Sequence, residues 1–256
     1  MIKRMPVLFV GHGSPMNAIE DNPFSRGWSA LGETLERPKA ILSVSAHWFT
    51  RGTKVNDSPT PSMIYDMYGF PEELYQLKYP AAGSPELAYR ARTLIGEFVS
   101  IDNNWGLDHG TWSVLRRVFP KADIPIVQLS VNAMLTPAEH YAIGQQLRAL
   151  REEGVLIFGS GNVVHNLSKL NWGMKGGQPW AEEFDRYIRE RTASRAFDDV
   201  VNYRRAGKCS QTAFYTPEHF QPLLYVLAAS DERDRLTVFN DSCVMGSISM
   251  TSYLFA

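Results

Sequence analysis

The chain has 256 residues, of which 44% are hydrophobic and 12% aromatic, so it is long enough for one domain with a substantial core. Its 26 basic and 27 acidic residues give a formal net charge of -1, which offers no electrostatic reason to expect nucleic acid or an anionic membrane as a partner. Two cysteines are too few for a cysteine-rich zinc site, and the absence of a signal-peptide pattern or a membrane-length apolar segment predicts a cytoplasmic protein.

Apolar runs and capped amphipathic segments predict the elements of the first half of the chain. In chain order they are a strand over 6–10, a helix over 23–35, a strand over 40–46, and helices over 85–98 and 111–119. Between the second strand and the next helix lies a long segment, 51–85, which is rich in Pro, Gly, Ser and aromatic residues. We expect this segment to be a functional loop with a short helix over 72–76.

The second half continues the alternation of strands and helices. In chain order it contains a strand over 124–130, a helix over 136–153, a strand over 155–159, helices over 181–192 and 216–229, and strands over 236–239 and 247–253. The pattern Thr136-Pro137-Ala138-Glu139 is a capping box that begins the first of these helices. The alternation, with no internal repeat or boundary, predicts one α/β domain over 1–256 with a central mostly parallel or mixed sheet flanked by helices.

Histidines recur at the ends of the predicted strands. His12 and His47 each follow a predicted strand directly, and His165 follows a strand and a short Gly/Asn loop. Ligands of open α/β sheets bind outside the carboxyl ends of the strands, so parallel strands would bring these three side chains to the same side. Histidine is the commonest metal ligand and titrates near neutral pH. The placement therefore indicates a shared metal or acid–base site, although any one of these residues could instead be a buried, hydrogen-bonded histidine.

Three further histidines have different surroundings. His109 lies in a tight turn before a helix. His219 lies in the first turn of a helix, where the helix dipole disfavours the imidazolium and favours the neutral ring that ligates metals. His140 occupies what looks like an ordinary helix-surface position, and we interpret it as structural or surface.

Other motifs suggest further readings of the same segments. The turns Gly11-His12-Gly13-Ser14 and Gly159-Ser160-Gly161-Asn162 could form anion-binding nests, but neither matches a nucleotide-binding fingerprint. Ser14, Ser45 or Ser160 could be a hydrolase nucleophile beside a histidine, but none of them lies in a Gly-x-Ser-x-Gly elbow. The aromatic residues of the 51–85 segment could pack in the core or form a lid.

Six short motifs occur in order along the chain and carry a resemblance to a known family. They are Gly11-His12-Gly13-Ser14-Pro15-Met16-Asn17, Ser43-Val44-Ser45-Ala46-His47-Trp48, Gly69-Phe70-Pro71 with Tyr79-Pro80-Ala81, Gly106-Leu107-Asp108-His109-Gly110, Gly161-Asn162-Val163-Val164-His165-Asn166-Leu167 and Thr216-Pro217-Glu218-His219. Together they resemble the LigB-like class III extradiol ring-cleavage dioxygenases, specifically the 4,5-DOPA extradiol dioxygenase group. The resemblance extends from Pro6 to Tyr253.

The resemblance implies a non-haem Fe(II) enzyme that opens the ring of a small-molecule catechol with O₂, next to the two hydroxyls. It implies that His12 and His47 are metal ligands and that His219 completes the metal site. By the same resemblance, His165 lies beside the metal as an acid–base residue or a further ligand, and His109 lies near the bound oxygen with a catalytic role.

One feature departs from the usual pattern of these enzymes. Many non-haem Fe(II) oxygenases use two histidines and one carboxylate, whereas the matching region here offers His219 with Glu218 adjacent. A histidine-only set also suits zinc, so Zn(II) could occupy the site. Two alternatives therefore stay open: a zinc-dependent hydrolase with Glu218 or His165 as general base, and a non-catalytic scaffold with the same fold.

Overall fold

One mixed sheet of eight strands forms the centre of the computed structural model, which describes residues 3–256. In chain order the strands are β1 (Val7–Gly11), β2 (Ala40–Thr50), β3 (Lys54–Val55), β4 (Ser100–Ile101), β5 (Ile126–Asn132), β6 (Val155–Gly161), β7 (Leu236–Phe239), β8 (Cys243–Val244), β9 (Ile248–Ser249) and β10 (Ser252–Phe255). The helices are α1 (Pro23–Thr34), α2 (Glu72–Gln76), α3 (Pro85–Ile95), α4 (His109–Val118), α5 (Pro137–Leu147), α6 (Pro179–Ala193), α7 (Phe197–Val201) and α8 (Gln221–Ala229).

Four parallel strands, in the order β5, β2, β6, β1, form the middle of the sheet. On one side of them β10 pairs antiparallel with β1, and β7 pairs antiparallel with β10. On the other side β3 pairs antiparallel with β5, and β4 pairs parallel with β3. The predicted α/β fold is therefore confirmed, and its sheet is mixed. Strands β8 and β9 form a separate antiparallel pair.

Helices cover both faces of the sheet because alternate side chains of each strand point to opposite faces. In β1, Val7 and Phe9 belong to the larger apolar cluster, which also takes in residues of α3, α5, α6 and α8. Leu8 and Val10 belong to a second cluster with Trp28 of α1 and side chains of α4. The continuous burial of β1, β5 and β6 is what a parallel sheet covered on both faces requires.

Several predicted boundaries differ from the structure for local reasons. The helix predicted over 85–98 ends at Ile95, because Gly96 has a φ of 126°. The helix predicted over 136–153 begins at its confirmed capping box but becomes a 3-10 helix after Leu147. The single strand predicted over 247–253 is wrong, because the segment forms two strands, β9 and β10, in different sheets. Between them the chain leaves the sheets, and Asp185 accepts hydrogen bonds from the hydroxyls of Ser249 and Thr251.

Two further elements differ from their predictions, one by being longer and one by being shorter. β2 continues to Thr50, so His47 lies inside the strand rather than after it, at an irregularity between Ser45 and Phe49. The predicted helix over 216–229 begins as a 3-10 turn, and α8 proper starts at Gln221. Within residues 3–256, no helix combines the length and the apolar character needed to cross a bilayer.

The surface position expected for His140 is wrong, although its structural role stands. The side chain is fully buried between α5 and α8, where its Nδ1 lies 2.8 Å from the hydroxyl of Tyr225. Gly144 allows this close packing, because a Cβ there would lie 2.6 Å from the carbonyl oxygen of Tyr225. Burial lowers the pKa of His140 to about 4.

His140 therefore makes folding depend on pH. Since its pKa is lower in the folded protein than in the unfolded chain, the unfolded chain binds more protons as the pH falls from about 6.5 to about 4. The part of the free energy of unfolding that depends on neutral His140 should be fully present above pH 6.5 and should be lost as the pH falls from about 6.5 to about 4. We expect His140→Gln to remove up to about 2 kcal/mol of the stability difference between pH 7.5 and pH 5, measured by urea unfolding. Equal pH dependence in the variant and the wild type would contradict this.

Candidate metal centre

Five histidines meet at the carboxyl ends of the parallel strands. His12 directly follows β1, His47 lies in β2, and His165 follows β6. His109 is the first residue of α4, and His219 ends the 3-10 turn that precedes α8. The structure thus brings together all five histidines that the sequence singled out, and it leaves His140 in the core on its own.

Three of these rings form a nearly equilateral triangle. The ring centroids of His12 and His47 are 4.9 Å apart, those of His47 and His219 are 5.0 Å apart, and those of His12 and His219 are 5.3 Å apart. The three residues come from separate parts of the chain, so their meeting depends on the sheet topology. The arrangement provides three imidazole nitrogens around one point.

The Nδ1 atom of each ring in the triangle faces a hydrogen-bond acceptor. For His12 the neighbour is the hydroxyl of Ser160 at 2.9 Å, which itself donates to the Gly110 carbonyl at 2.6 Å and so accepts from the ring. For His219 it is Oε1 of Glu218 at 3.0 Å. The Nδ1 of His47 lies 3.2 Å from Oδ2 of Asp66. A neutral ring that donates from Nδ1 to such a neighbour keeps its lone pair on Nε2, which is the form that binds a metal.

Among residues 3–256, the Nε2 atoms of these three rings have no hydrogen-bond partner other than an imidazole. Those of His12 and His47 are 3.1 Å apart, and Nε2 of His219 is buried with no partner. Without a metal, the first two can bond to each other only if one ring carries its hydrogen on Nε2, whereas a cation would accept both lone pairs. Around a tetrahedral ion with bonds of about 2.0–2.1 Å, ligand nitrogens lie about 3.3 Å apart. The spacing of the His12 and His47 nitrogens is therefore close to that of two ligands of one ion.

His165 lies against the triangle in a different orientation. Its ring stacks on that of His219, with centroids 3.5 Å apart and an angle of 8° between the planes. An ion bound to one nitrogen of each ring would lie between the stacked rings, displaced from each ring plane by about half of that separation. This displacement is nearly as long as a metal–nitrogen bond of about 2.0–2.1 Å. Imidazole binds metals in its ring plane, so these two histidines are poorly placed to ligate the same ion.

His109 lies on the other side of the triangle. Its ring centroid is 3.9 Å from that of His47, and its Nδ1 is hydrogen bonded to Oδ2 of Asp66 at 3.0 Å. Nitrogens of His12, His47 and His109 all lie within 4.8 Å of one another, as do ligand atoms of the second group, His165, Glu218 and His219. The five histidines thus provide two adjoining groups of donor atoms.

Burial keeps the ligand candidates neutral. It lowers the pKa values of His12, His47 and His219 well below the usual range, and the neighbouring imidazoles lower them further. Burial and then His109 lower the pKa of His165 to about 4. A neutral imidazole is the form that ligates metals and accepts protons, so the cluster is ready for either role at neutral pH.

A cavity of about 360 Å³ adjoins the histidines. Its lining comprises His165, Leu167, Ser168, Tyr215, Thr216 and Glu218. Its size is within the range of small-molecule sites. His165 and Glu218 connect the cavity to the triangle, so a small molecule bound there would lie beside the candidate metal position.

Comparison with known proteins identifies the family. Residues 6–256 match the family model described as the catalytic LigB subunit of aromatic ring-opening dioxygenase. The chain belongs to the LigB family. It is therefore an oxidoreductase of the extradiol ring-opening dioxygenase class, which favours ring opening over the hydrolase and scaffold alternatives.

Relatives of this LigB-family chain match it over nearly its whole length. A 4,5-DOPA dioxygenase extradiol of Escherichia coli strain K12 is 48% identical, over 97% of this chain and 94% of the relative. One of Beta vulgaris with the same name is 39% identical, over 96% and 95%. A crystal structure of an uncharacterized protein from Escherichia coli K12 superposes with a TM-score of 0.86 at 43% identity, covering 99% of this chain and 100% of that one.

Sequence reasoning missed the carboxylates that support the LigB histidines. Asp108 is fully buried at the N-cap of α4 and accepts hydrogen bonds from Ser45, Trp105 and Gln128. Burial, and then the charge of Asp66, raise its pKa to about 6. Asp108 directly precedes His109 in a motif that was noticed, so the N-cap position was a usable signal. Asp66 lies in the long loop, where no local pattern marks it.

Two hydroxyls considered as nucleophiles have supporting roles instead. The Ser160 hydroxyl is held between His12 and the Gly110 carbonyl, and that of Ser45 donates to Asp108. In the aromatic loop, core packing is confirmed for Tyr79, which is 3% exposed and donates to carbonyls of α4 and its C-cap. Tyr68 in the same loop is 92% exposed.

Gly161 is required for the position of His219. A Cβ at Gly161 would lie 2.1 Å from the His219 carbonyl oxygen, a backbone atom that also accepts from Asn162. We expect Gly161→Ala to displace this segment, to cost about 1–3 kcal/mol in the free energy of unfolding, and to weaken metal binding. Gly173→Ala is the matched control, since its Cβ would meet only a side-chain atom of Asn171 at 3.7 Å. Wild-type metal affinity and stability in Gly161→Ala would refute the prediction.

Proposed function

We propose that this LigB-family chain opens the ring of a catechol with O₂, that DOPA-like catechols are its substrate class, and that residues 1–256 act as one catalytic domain. The observation that carries the proposal is the convergence of the His12, His47 and His219 rings, in which the Nε2 atoms of His12 and His47 are 3.1 Å apart and Nε2 of His219 is buried without a hydrogen-bond partner among residues 3–256. Relatives named for 4,5-DOPA support the substrate class, because the similarity covers almost the whole chain.

The proposed metal ligands are His12, His47 and His219, with Fe(II) as the active metal. Each has its Nδ1 beside an acceptor, which is the usual way in which proteins orient a metal-binding imidazole. Bound iron would hold catecholate and O₂ together and supply the redox chemistry of ring opening. A set of neutral imidazoles also accepts zinc, so we expect Zn(II) to compete for the same nitrogens.

His165 is the proposed acid–base residue. Its stacking on His219 argues against a shared ion, and its ring lines the cavity where the catechol would bind. Because its pKa is lowered to about 4, the ring is neutral at neutral pH and can accept a proton from a catechol hydroxyl. The same nitrogen can return the proton when the ring opens.

His109 is proposed to assist on the opposite side of the triangle, near the position of O₂. The backbone N–H and Nδ1 of His109 both bind Asp66, so the ring has a fixed orientation beside His47. With hydrogen on Nδ1, the other nitrogen of the neutral ring can accept a hydrogen bond or a proton. This gives the site one proton-handling ring on each side.

The cavity lining suits a small aromatic ring with polar substituents. Leu167 and Tyr215 offer apolar surface, whereas Ser168 and Thr216 offer hydroxyls. We propose that the partners of the protein are small molecules, a catechol and O₂, and that it acts in the cytoplasm.

The proposed reaction is tested by loading the metal-free protein with Fe(II) under anaerobic conditions. On admission of air, we expect O₂ uptake with DOPA and simpler catechols, and a ring-opened product with altered absorbance. Protein loaded with Zn(II), which has no redox chemistry to offer, is the control and should consume no O₂. Absence of uptake with every catechol, with iron confirmed in the protein, would rule out the proposal.

Two histidine variants separate a ligand from a proton carrier. His219→Gln should weaken metal binding strongly, because it removes a ligand nitrogen. His165→Gln should keep metal affinity within a few fold of wild type and lower kcat by about 10²–10⁴-fold, the usual contribution of general acid–base catalysis. Metal titration and steady-state kinetics measure both quantities. A large loss of metal affinity in His165→Gln would instead make His165 a ligand.

A further inference from the structure

Asp66 joins two histidines of the metal centre to the long loop. Its Oδ1 accepts a hydrogen bond from the backbone N–H of His109 at 2.8 Å, and its Oδ2 accepts from His109 Nδ1 at 3.0 Å. The same Oδ2 lies 3.2 Å from Nδ1 of His47. The Asp66 side chain is only 9% exposed, so protein atoms rather than water provide its contacts.

A carboxylate in this position favours hydrogen on Nδ1 of both rings, through a hydrogen bond to His109 and through its charge 3.2 Å from His47. A carboxylate has no hydrogen to donate, so each Nδ1 atom beside it is stable only as the donor. A neutral imidazole has one N–H, and hydrogen on Nδ1 therefore leaves Nε2 with its lone pair. The contact thus makes Nε2 of His47 available to a metal and Nε2 of His109 available as an acceptor.

We propose that Asp66 is a positioning residue that fixes the tautomers of His47 and His109 together, so that one loop carboxylate prepares both a metal ligand and a proton-handling ring. This inference rests on the metal centre proposed above. Neither the family description nor the names of the relatives assigns a role to this residue.

The loop around Asp66 is anchored independently of its carboxylate. The N–H of Ile64 donates to the Leu107 carbonyl at 2.8 Å, and the indole of Trp112 donates to the Ile64 carbonyl at 2.9 Å. Met63 also forms a bridge with Leu107. These bonds hold the segment against the start of α4, so changing the Asp66 side chain should leave the backbone in place.

Asparagine at this position has the shape of aspartate but the wrong hydrogen bonding. Its amide offers one acceptor oxygen and one NH₂ donor where the carboxylate offers two acceptors. Because the backbone N–H of His109 needs an acceptor at the Oδ1 position, the NH₂ takes the position of Oδ2, beside both rings. A ring that accepts from this NH₂ must place its own hydrogen on Nε2, which removes a lone pair from the centre. Asp66→Glu keeps the carboxylate, and Glu73→Gln is the matched control, because Glu73 is an exposed carboxylate in the same loop.

The experiment measures metal affinity and imidazole tautomers in the full chain. Metal-free wild type, Asp66→Asn, Asp66→Glu and Glu73→Gln are titrated with Co(II) and Zn(II) against a competing chelator. We expect Asp66→Asn to bind metal about 10–100-fold more weakly, the usual cost of removing such a partner. Asp66→Glu should recover part of the loss, and Glu73→Gln should match wild type. Circular dichroism checks that each variant is folded.

Nitrogen-15 NMR of the imidazoles of metal-free protein distinguishes this role from a general structural one. Wild type should show His47 and His109 with hydrogen on Nδ1, and Asp66→Asn should move at least one of them to hydrogen on Nε2. Unchanged tautomers, or unchanged metal affinity in folded Asp66→Asn, would overturn the inference.

The same substitution in a protein that lacks the His109 imidazole tests whether Asp66 acts on the metal through His47. In a His109→Phe background, Asp66→Asn should still weaken metal binding, because the contact with His47 remains. Loss of the effect in that background would overturn the joint role. These measurements do not depend on turnover, so O₂ uptake by wild type would still support the proposed function if they failed.

Discussion

The structure depends on three imidazole rings, those of His12, His47 and His219, which converge from separate parts of the chain with centroids 4.9–5.3 Å apart. A buried polar atom without a partner costs free energy: Nε2 of His219 has no partner among residues 3–256, and those of His12 and His47 contact only each other, 3.1 Å apart. Hydroxyl and carboxylate oxygens beside the Nδ1 atoms favour hydrogen on the far side of each ring. A bound cation would give the Nε2 atoms a common partner.

The parallel centre of the sheet makes this arrangement possible. β1, β2 and β6 lie side by side and end at the same edge, so His12, His47 and His165 reach one place from distant parts of the sequence. Contacts between backbones then bring in the other residues: the end of β6 packs directly on the carbonyl of His219. The rigidity of a buried sheet is what keeps the nitrogens close together.

The fold and the five clustered histidines could be predicted from the sequence because their signals are local. Alternating apolar runs and capped helices predict an α/β sheet, and such a sheet indicates where strand ends meet. The burial of His140 could not be predicted in this way, because it depends on α8 packing over α5. Asp66 was missed for a similar reason, since its contacts join a loop to residues 19 and 43 positions away in the printed sequence.

Anomalous diffraction at the iron edge from crystals of the Fe(II)-loaded protein tests the central claim most directly. The account predicts a single strong peak at bonding distance from Nε2 of His12, His47 and His219, with His165 outside the ligand set. A peak bound by His165, Glu218 and His219 without His12 and His47, or the absence of a peak in loaded protein, would contradict it.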